Sequence, residues 1–402
     1  MSTKRSVAAR SAQTLGGLLG IGAIALVVAG AVLLPWPSRM ITPASVVVTP
    51  QPSEQRRACP GPLLALAEDS SAAQSVTAVG TATAVAAATD PTDGAFPISP
   101  EISDLAVPDD TQGGQHGAPQ LIRVAVKPGA TVAPLLAGSQ SQTVATETLA
   151  GFAAASCAEA VSDAWLVGGS TDIGRTTLVL LTNPTTVVAT VGLSVYGETG
   201  LVDAPGSTGI LVQPGSQRVV SLAGLAPNLK SPIVHVQSQG GQIVAVLQQS
   251  LISGIVPQGV DLIGATGNPS LQLTIAGVAV TSPAAASPTS EAPDEHEAAG
   301  ATVRMLVTGD TVATVQLGVI SEGGVNPGTS IQVQVPPGVA TEVPLVGLVP
   351  GGYAVNIDSD RPVIAAATAT SADAAGHDFG WFASSEPIDG EFLVTVAPGP
   401  AP

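Results

Sequence analysis

The feature that most constrains the fold of this chain is a short alternation of apolar and polar residues that recurs between turns. In "ATVGLSV" (residues 189–195), Val191, Leu193 and Val195 occupy every second position, so they share one face of an extended strand. The chain contains 45 Gly and 34 Pro, which interrupt such runs and exclude long helices beyond the N-terminus. The pattern predicts an all-β fold made of antiparallel strands.

The same strand-and-turn units occur more than once along the sequence. Three segments of one copy align in order with three of another: 176–200 with 301–324, 209–227 with 331–350, and 233–250 with 353–370. A fainter copy lies over residues 121–136, and Trp165 and Trp381 then end equivalent units. Repetition at this scale predicts tandem immunoglobulin-like β-sandwich modules.

The predicted organisation follows from these repeats and from shifts in composition. A Pro-punctuated stretch predicts a stalk, and a stretch rich in Pro, Ser, Ala and acidic residues predicts a flexible linker. The segments are a cytoplasmic tail (1–12), a transmembrane signal anchor (13–35), a stalk (36–57), a divergent first β-module with long loops (58–175), a second β-sandwich module (176–280), an acidic linker (281–300) and a third β-sandwich module (301–402).

An uncharged apolar run near the N-terminus indicates a membrane segment. Residues 15–34 have about the length that a helix needs to cross a bilayer. Lys4, Arg5 and Arg10 precede the run, and by the positive-inside rule they keep the N-terminus in the cytoplasm. We therefore expect a single-pass protein of the cell membrane with an extracytoplasmic C-terminal region. The alternative is a cleaved signal peptide that ends near residues 29–31, "AGA".

Charge and aromatic content restrict the classes of function. The formal net charge of −17 repels polyanions, and since the sequence contains no basic patch, nucleic-acid binding is not expected. Aromatic residues make up only 2% of the chain, which argues against strong binding of glycans on aromatic platforms. No cofactor is predicted.

The two cysteines fit an extracytoplasmic location. An even number of thiols outside the cytoplasm usually ends as disulfides, so Cys59 and Cys157 are predicted to pair. The alternative is two separately buried thiols. The pair lacks His partners at ligand spacing, which makes it a poor metal site.

The stretch "GGSTDIGRTT" (residues 168–177) is one substitution away from a phosphate-binding P-loop, with Arg175 in the place of Lys. A P-loop needs a helix after it, whereas "TTLVLLTNP" is rich in β-branched residues and ends at Pro184. The segment is therefore predicted to be a glycine-rich turn that leads into a strand.

Other chemistry-bearing residues form no catalytic pattern in the sequence. The four histidines, His116, His235, His296 and His377, do not have the spacing of metal ligands. The run "DEHE" (294–297) is interpreted as a solvated acidic patch, and "DSDRP" (358–362) as a charged hairpin turn with some capacity for calcium or ligand binding. The candidate interaction residues are Trp165, Trp381, Asp358, Asp360 and Arg361.

Several passages together resemble a known family. The N-terminal anchor, "WLVGGSTDIGRTTLVLLTNP", the strand pairs "VQPGSQRVVSL" and "VPPGVATEVPL", and "DRPVIAA" are similar to an actinobacterial family of membrane-anchored envelope proteins, domain-of-unknown-function family 5719. That family has no assigned activity, so the resemblance implies a compartment and no catalytic residues. Its members tend to be encoded near envelope glycosyltransferases, which implies a link to cell-wall or glycan assembly.

These observations predict a non-enzymatic envelope protein that is tethered to the membrane through residues 13–35. Its expected role is structural, or it is an interaction module for an envelope protein. The alternative is a glycan-binding or glycan-processing accessory in envelope polymer assembly. A groove that holds Trp165, Tyr196 or Trp381 beside two carboxylates would favour the alternative, and a closed apolar setting for those rings would disfavour it.

Overall fold

The structure is a computed structural model, and several predicted segments lie outside the residues that it describes. These segments are the tail, most of the anchor, residues 36–50 of the stalk, and residues 282–299 of the linker, which include His296 and the "DEHE" run. The described residues are 22–26, 30, 51–66, 75–90, 97–281, 300–324, 328–373, 376–385 and 390–399.

Contacts between Cα atoms divide the chain into two units, Met1–Pro50 and Gln51–Pro402. In the first unit, residues 22–26 and 30 are helical. Within the described part of the chain, no helix is both long enough and apolar enough to span a membrane. The second unit is nearly all β, which confirms the all-β part of the predicted fold class.

The first region of the second unit consists of three small sheets. Their strand orders are β1-β7-β6, β5-β4-β8-β9 and β2-β3. Strand β1 begins at Gln55, so the last residues of the predicted stalk are part of a sheet. The strands are β1 (Gln55–Cys59), β2 (Leu64–Leu66), β3 (Val76–Ala78), β4 (Thr83–Thr89), β5 (Pro97–Ile98), β6 (Glu101–Asp104), β7 (Gln120–Val124), β8 (Leu135–Ala145) and β9 (Ala150–Ser156).

The predicted disulfide between Cys59 and Cys157 is confirmed. It joins the end of β1 to the residue that follows β9, across a sequence separation of 98 residues. Both cysteines lie in a small apolar cluster with Ile122, Val124 and Leu136. The bond thus ties together two of the small sheets of this region.

The second region is a two-layer sandwich that also contains a one-turn helix, Leu222–Leu225. One sheet has the order β10-β16-β12-β13, with β14 also paired to β12, and the other has the order β15-β11-β17-β18. The strands are β10 (Asp163–Val167), β11 (Arg175–Asn183), β12 (Ala189–Gly197), β13 (Gly200–Val202), β14 (Ile210–Val212), β15 (Ser216–Ser221), β16 (Ile233–Gly240), β17 (Val244–Ser253) and β18 (Val256–Ile263).

The third region repeats this arrangement with one difference, because a single long strand passes through both layers. The first half of β24 pairs with β19 and β21, and its second half pairs with β20 and β25. The strands are β19 (Ser270–Val280), β20 (Ala301–Val307), β21 (Ala313–Ser321), β22 (Thr329–Val335), β23 (Thr341–Pro344), β24 (Gly351–Asp373) and β25 (Gly376–Ala383).

The two halves of β24 correspond to β16 and β17 of the second region. There the chain turns after Gly240, whose φ of 84° lies in a region that glycine adopts readily and other residues rarely adopt. In the third region the aligned residues are Asp360, Arg361 and Pro362, and the strand continues without a turn. The predicted hairpin turn at residues 358–362 is therefore wrong, since residues with side chains at this place favour extended backbone.

Strand pairing crosses two of the predicted module boundaries. Strand β10 precedes the predicted boundary at residue 175 and pairs with β16, and β19 precedes the predicted linker and pairs with β24. Trp165 therefore lies on the first strand of one sandwich and Trp381 on the last strand of the other, so they are not equivalent. The exact division into modules stays a prediction.

The glycine-rich stretch 168–177 leads into a strand, as predicted. Strand β11 begins at Arg175, and Gly168, Gly169 and Gly174 all have positive φ, between 76° and 154°. The side chain of Thr177 folds back on this loop, donating to the carbonyl of Ser170 and accepting from its N–H. No helix terminus is present in this described stretch to bind a phosphate.

The glycine-rich loop contacts Arg304 of β20, which lies between the two sandwiches. Nη1 of Arg304 donates to the carbonyl oxygens of Gly169 and Pro232 at 2.8 and 2.9 Å, and Nη2 donates to that of Lys230 at 3.3 Å. Its guanidinium also pairs with Glu342 at 2.8 Å. Burial lowers the pKa of Arg304 from its usual value, and the charge of Glu342 opposes that change. One buried cation thus holds the third region against the second.

We predict that removing this cation destabilises the protein strongly. Arg304→Met removes the cation that balances the buried carboxylate of Glu342 and should lower the free energy of unfolding by about 3 kcal/mol or more. The double variant Arg304→Met/Glu342→Leu should be more stable than the single variant, because it no longer buries the carboxylate that Arg304 balanced. Denaturant unfolding measures both, with the exposed Arg361→Met as the control, for which a change within about 0.5 kcal/mol is expected. Equal losses in the single variant and in the control would contradict this role.

Candidate functional site

The candidate site is a cleft where the edge strands of the three regions meet. Strands β9, β18 and β25 each lie at the end of their described sheets, and they pack against one another. The cleft has a volume of about 650 Å³. Its main lining residues are Phe152, Asp261, Asp378, Phe379, Trp381 and Phe382. We call it the junction cleft.

Aromatic residues are concentrated in the junction cleft. The chain has five Phe and three Trp, and three of those Phe and one of those Trp line this one cavity. Three of the four rings lie on β25, in the segment "FGWF". A cluster of aromatic side chains in a chain so poor in them makes the cleft a candidate binding surface.

Two glycines allow the three strands to approach closely enough to form the cleft. A Cβ on Gly259 of β18 would lie 2.6 Å from the ring of Phe379, and a Cβ on Gly151 of β9 would lie 2.7 Å from a carboxylate oxygen of Asp378. Both glycines also have positive φ, 138° and 139°. Any other residue at either position would push the edges of the regions apart.

Asp378 joins the three edge strands through backbone hydrogen bonds. Its Oδ2 accepts from the N–H of Phe152 on β9 at 2.8 Å, and its Oδ1 accepts from the N–H groups of Val260 on β18 and Phe379 on β25 at 3.3 and 2.9 Å. These N–H groups belong to strand edges, where a neighbouring strand would otherwise bind them. The carboxylate therefore takes the place of a strand at the junction.

Asp261 makes the reciprocal connection from β18 to β25. Its Oδ2 accepts from the N–H of Trp381 at 2.7 Å, and its Oδ1 accepts from the N–H of Leu262 at 2.8 Å. Burial raises the pKa of Asp261 from 3.8 to about 8, the two backbone hydrogen bonds oppose that rise, and the nearby charge of Asp378 adds to it. A large fraction of Asp261 is therefore protonated at neutral pH.

Trp381 separates the junction cleft from a second, smaller cavity, since it lines both. The smaller cavity has a volume of about 90 Å³ and is lined in part by Gly169, Arg175, Arg304 and Glu342. The guanidinium of Arg304 lies 4.7 Å from the centre of the Trp381 ring, and the indole N–H donates to Gln249 at 2.7 Å. The ring is thus fixed in place by groups of both sandwiches.

Trp165, the other predicted interaction tryptophan, is largely buried, but it also lines a surface cavity of about 430 Å³ beside Glu159 and Asp163. It is 7% exposed and packs between the two sandwiches with Leu306, Ile364 and other apolar residues. Its ring stacks on His235 with 3.9 Å between ring centres, and the ring of Tyr196 lies 5.8 Å away. The burial of the Trp165 ring counts against the glycan alternative. The cavity that Trp165 lines with Glu159 and Asp163, and the position of Trp381 beside two carboxyl groups, count for it.

The remaining predicted residues, Asp358, Asp360 and Arg361, lie on β24 outside the lining of the junction cleft. Asp358 accepts from Gln272 at 3.0 Å, and Asp360 accepts from the N–H of Thr314 at 2.8 Å. Arg361 donates to Thr311 at 3.1 Å. These side chains join neighbouring strands on an exposed surface, and the structure does not bring them together with the tryptophans.

The functional residues that sequence reasoning missed are mostly single polar residues within apolar strands. Arg304 interrupts "ATVRMLV", and Asp261 interrupts "GVDLI". A charge within a strand that is otherwise apolar is a signal of a buried, paired group, and it was available in the sequence. Asp378 and Phe152 carried no such signal, because their roles depend on contacts between distant strands.

The described residues contain no group of three or more His, Cys, Asp and Glu placed to hold a metal ion. His116 lies in a turn, whereas His235 lies on β16 and pairs with Asp163 at 2.9 Å. His377 lies on β25.

Comparison with known proteins gives a family and no activity. The model of a family described as "Family of unknown function (DUF5719)" matches residues 110–399. No curated protein matches the chain.

Three solved structures show weak likeness to this one. Thermotoga maritima 1070 is 12% identical with a TM-score of 0.23, and it covers 29% of this chain and 93% of its own. The Anabaena sensory rhodopsin transducer is 19% identical with a TM-score of 0.18, covering 24% of this chain and 93% of its own. An anti-sigma factor domain-containing protein is 9% identical with a TM-score of 0.12, covering 74% of this chain and 96% of its own. These scores are too low to assign a function.

We predict that Asp261 makes the protein less stable as the pH rises. Its pKa is higher in the folded state than in the unfolded state, so its contribution is fully present below about pH 4 and is lost as the pH rises through about 8. The side chain of Asp261→Asn does not titrate. Relative to the wild type, the free energy of unfolding of this variant should therefore rise by on the order of a few kcal/mol across that pH range.

Thermal unfolding of both proteins at a series of pH values measures this difference. The exposed Asp358→Asn is the matched control, and its curve should stay parallel to that of the wild type. Parallel curves for Asp261→Asn would show that the carboxyl is not held protonated in the folded state.

Proposed function

The chain belongs to DUF5719, a family of unknown function, and from that premise we propose that it is a non-enzymatic, extracytoplasmic protein of the cell envelope. It is tethered to the cell membrane through residues 13–35 and acts as a structural or protein-interaction module. The proposal requires no cofactor and no nucleic acid.

The observation that carries the proposal is that the buried ionisable side chains bind backbone groups. The guanidinium of Arg304 binds backbone carbonyls of the second region, and the carboxylates of Asp378 and Asp261 bind backbone N–H groups of neighbouring strands. Side chains that bind the backbone of a neighbouring region fix the position of one region relative to the other. They make the three regions one rigid support, which suits a protein that presents a surface to a partner.

The disulfide and the N-terminal sequence support the compartment. A disulfide between Cys59 and Cys157 persists in an oxidising environment, which lies outside the cytoplasm. The apolar run at 15–34 with basic residues before it is typical of a segment that leaves the following chain outside. Both features agree with a single-pass anchor.

We further propose that the two repeated sandwiches are tandem immunoglobulin-like modules. In the immunoglobulin sandwich, strand B pairs with E and strand C pairs with F. Strands β11 and β15, and β12 and β16, pair in the corresponding way. The arrangement departs from that fold at β17, which pairs with β11 instead of β16.

Isolation of the full chain from its native membrane tests the envelope role. We expect a tagged full-length protein to be in the membrane fraction with an N-terminus that still contains residues 13–35, as mass spectrometry measures. We also expect it to retain one specific envelope protein after crosslinking. An N-terminus that begins after the apolar run would contradict the tether, and the absence of any specific partner would contradict the interaction role.

A second candidate function, a glycan-binding accessory, is favoured by one observation. The junction cleft places Trp381 and three Phe beside two carboxylates. Sugar rings stack their apolar faces on aromatic rings, and their hydroxyl groups donate to carboxylates.

Titration of the full chain with cellohexaose tests the second candidate. Binding that is lost in Phe382→Ala and kept in Phe392→Ala, an exposed ring outside the cleft lining, would support it. Calorimetry that detects no heat of binding at millimolar sugar would overturn it.

A further inference from the structure

The junction cleft has the charge and surface chemistry of a site for a cation. Asp261 and Asp378 line it, and among its described lining residues none is Lys, Arg or His. The other polar side chains that line it are the hydroxyls of Thr281 and Ser371. Asp261 is largely protonated at neutral pH, so the negative charge of the cleft comes from Asp378, whose carboxylate accepts hydrogen bonds and suits a cationic ligand that donates them.

The aromatic lining favours the same class of ligand. Phe152, Trp381 and Phe382 are half-buried, so part of each ring is accessible. A cation over the face of an aromatic ring is attracted to it, and the aliphatic stem of a basic side chain also packs on the ring. A sugar would use the rings equally well, but a sugar is neutral, whereas the carboxylate of Asp378 in a lining without Lys, Arg or His favours a cation.

We propose that the junction cleft receives a lysine or arginine side chain from an extended basic segment of a partner protein. This inference rests on the proposed interaction role and names the chemistry of the partner. The formal net charge of −17 attracts a basic partner over distance, and the cleft then selects the inserted side chain.

The size of the junction cleft agrees with a segment longer than one residue. Its volume of about 650 Å³ is within the usual range for ligand sites and exceeds the volume of a single basic side chain. The walls come from three strands that Asp378 and Asp261 hold together, so the site is formed before the partner arrives. A preformed site loses little conformational freedom on binding.

Short synthetic peptides bound to the full-length chain test the proposal. The probe is acetyl-Thr-Val-Lys-Val-Thr-amide, and the matched peptides carry arginine, norleucine or glutamate in place of lysine. We expect the lysine and arginine peptides to bind at least about tenfold more tightly than the norleucine peptide, and the glutamate peptide not to bind. Calorimetry measures all four.

Variants of the cleft locate the site. Ser371→Lys places a competing cation on the cleft wall without removing a backbone contact of either carboxylate, and it should weaken binding of the lysine peptide by about tenfold or more. The methionine side chain in Ser371→Met has a similar length and no charge, so this variant should bind the lysine peptide much more tightly than Ser371→Lys does. Asp378→Asn should also weaken binding, and the distant Asp358→Asn should not.

Each outcome decides the inference. Equal binding of the lysine and norleucine peptides, or equal effects of Ser371→Lys and Ser371→Met, would overturn it. Binding of cellohexaose with no binding of the basic peptides would overturn it in favour of the glycan candidate. If an envelope partner is captured equally well by Ser371→Lys and the wild type, the proposed interaction role stands and the cleft inference fails.

Discussion

The rest of this structure depends on one sheet that is covered on both of its faces. The sheet β15-β11-β17-β18 packs one face into the core of the second sandwich and the other onto the first region. Its strand β11 is buried at nearly every position as a result. Cores made of Ala and Val bury little area per residue, and burial contributes roughly 25 cal/mol per Å² of apolar surface. A chain with so few large side chains therefore gains stability by stacking sheets on both sides.

That stacking explains why charged groups are found at the junctions. Where two sandwiches meet, strand edges and loop carbonyls lose their contact with water, and each of these backbone groups needs a hydrogen-bond partner. Arg304 supplies donors to carbonyls of the second region, and Asp378 supplies acceptors to the N–H groups of β9 and β18. A buried ion pair adds little net stability, but the loss of one partner is costly, so such groups fix the arrangement of the regions.

The sequence predicted the parts of the fold that depend on local pattern. Alternation at Val191, Leu193 and Val195 correctly predicted one buried face, and the repeat alignment matched β11 to β20. It failed where neighbours in space decide the outcome. At residues 358–362 the chain continues as one strand, which pairs with β21 as far as Ser359 and with β20 from Val363 onward. For the junction cleft, the aromatic segment "FGWF" was visible in the sequence, but its encounter with Asp261 and Phe152 depends on three strands far apart in the chain.

The glycines and carboxyl groups of the junction cleft act together to join the three regions. Gly151 and Gly259 let β9 and β18 come so close to β25 that Asp378 can bridge them, and this closeness buries Asp261 and raises its pKa. The raised pKa is thus a consequence of how the regions are joined. At the same place, the rings of "FGWF" on β25 line the cleft that remains between β25, β9 and β18. The contacts that join the regions therefore also create a cavity lined by aromatic and acidic side chains.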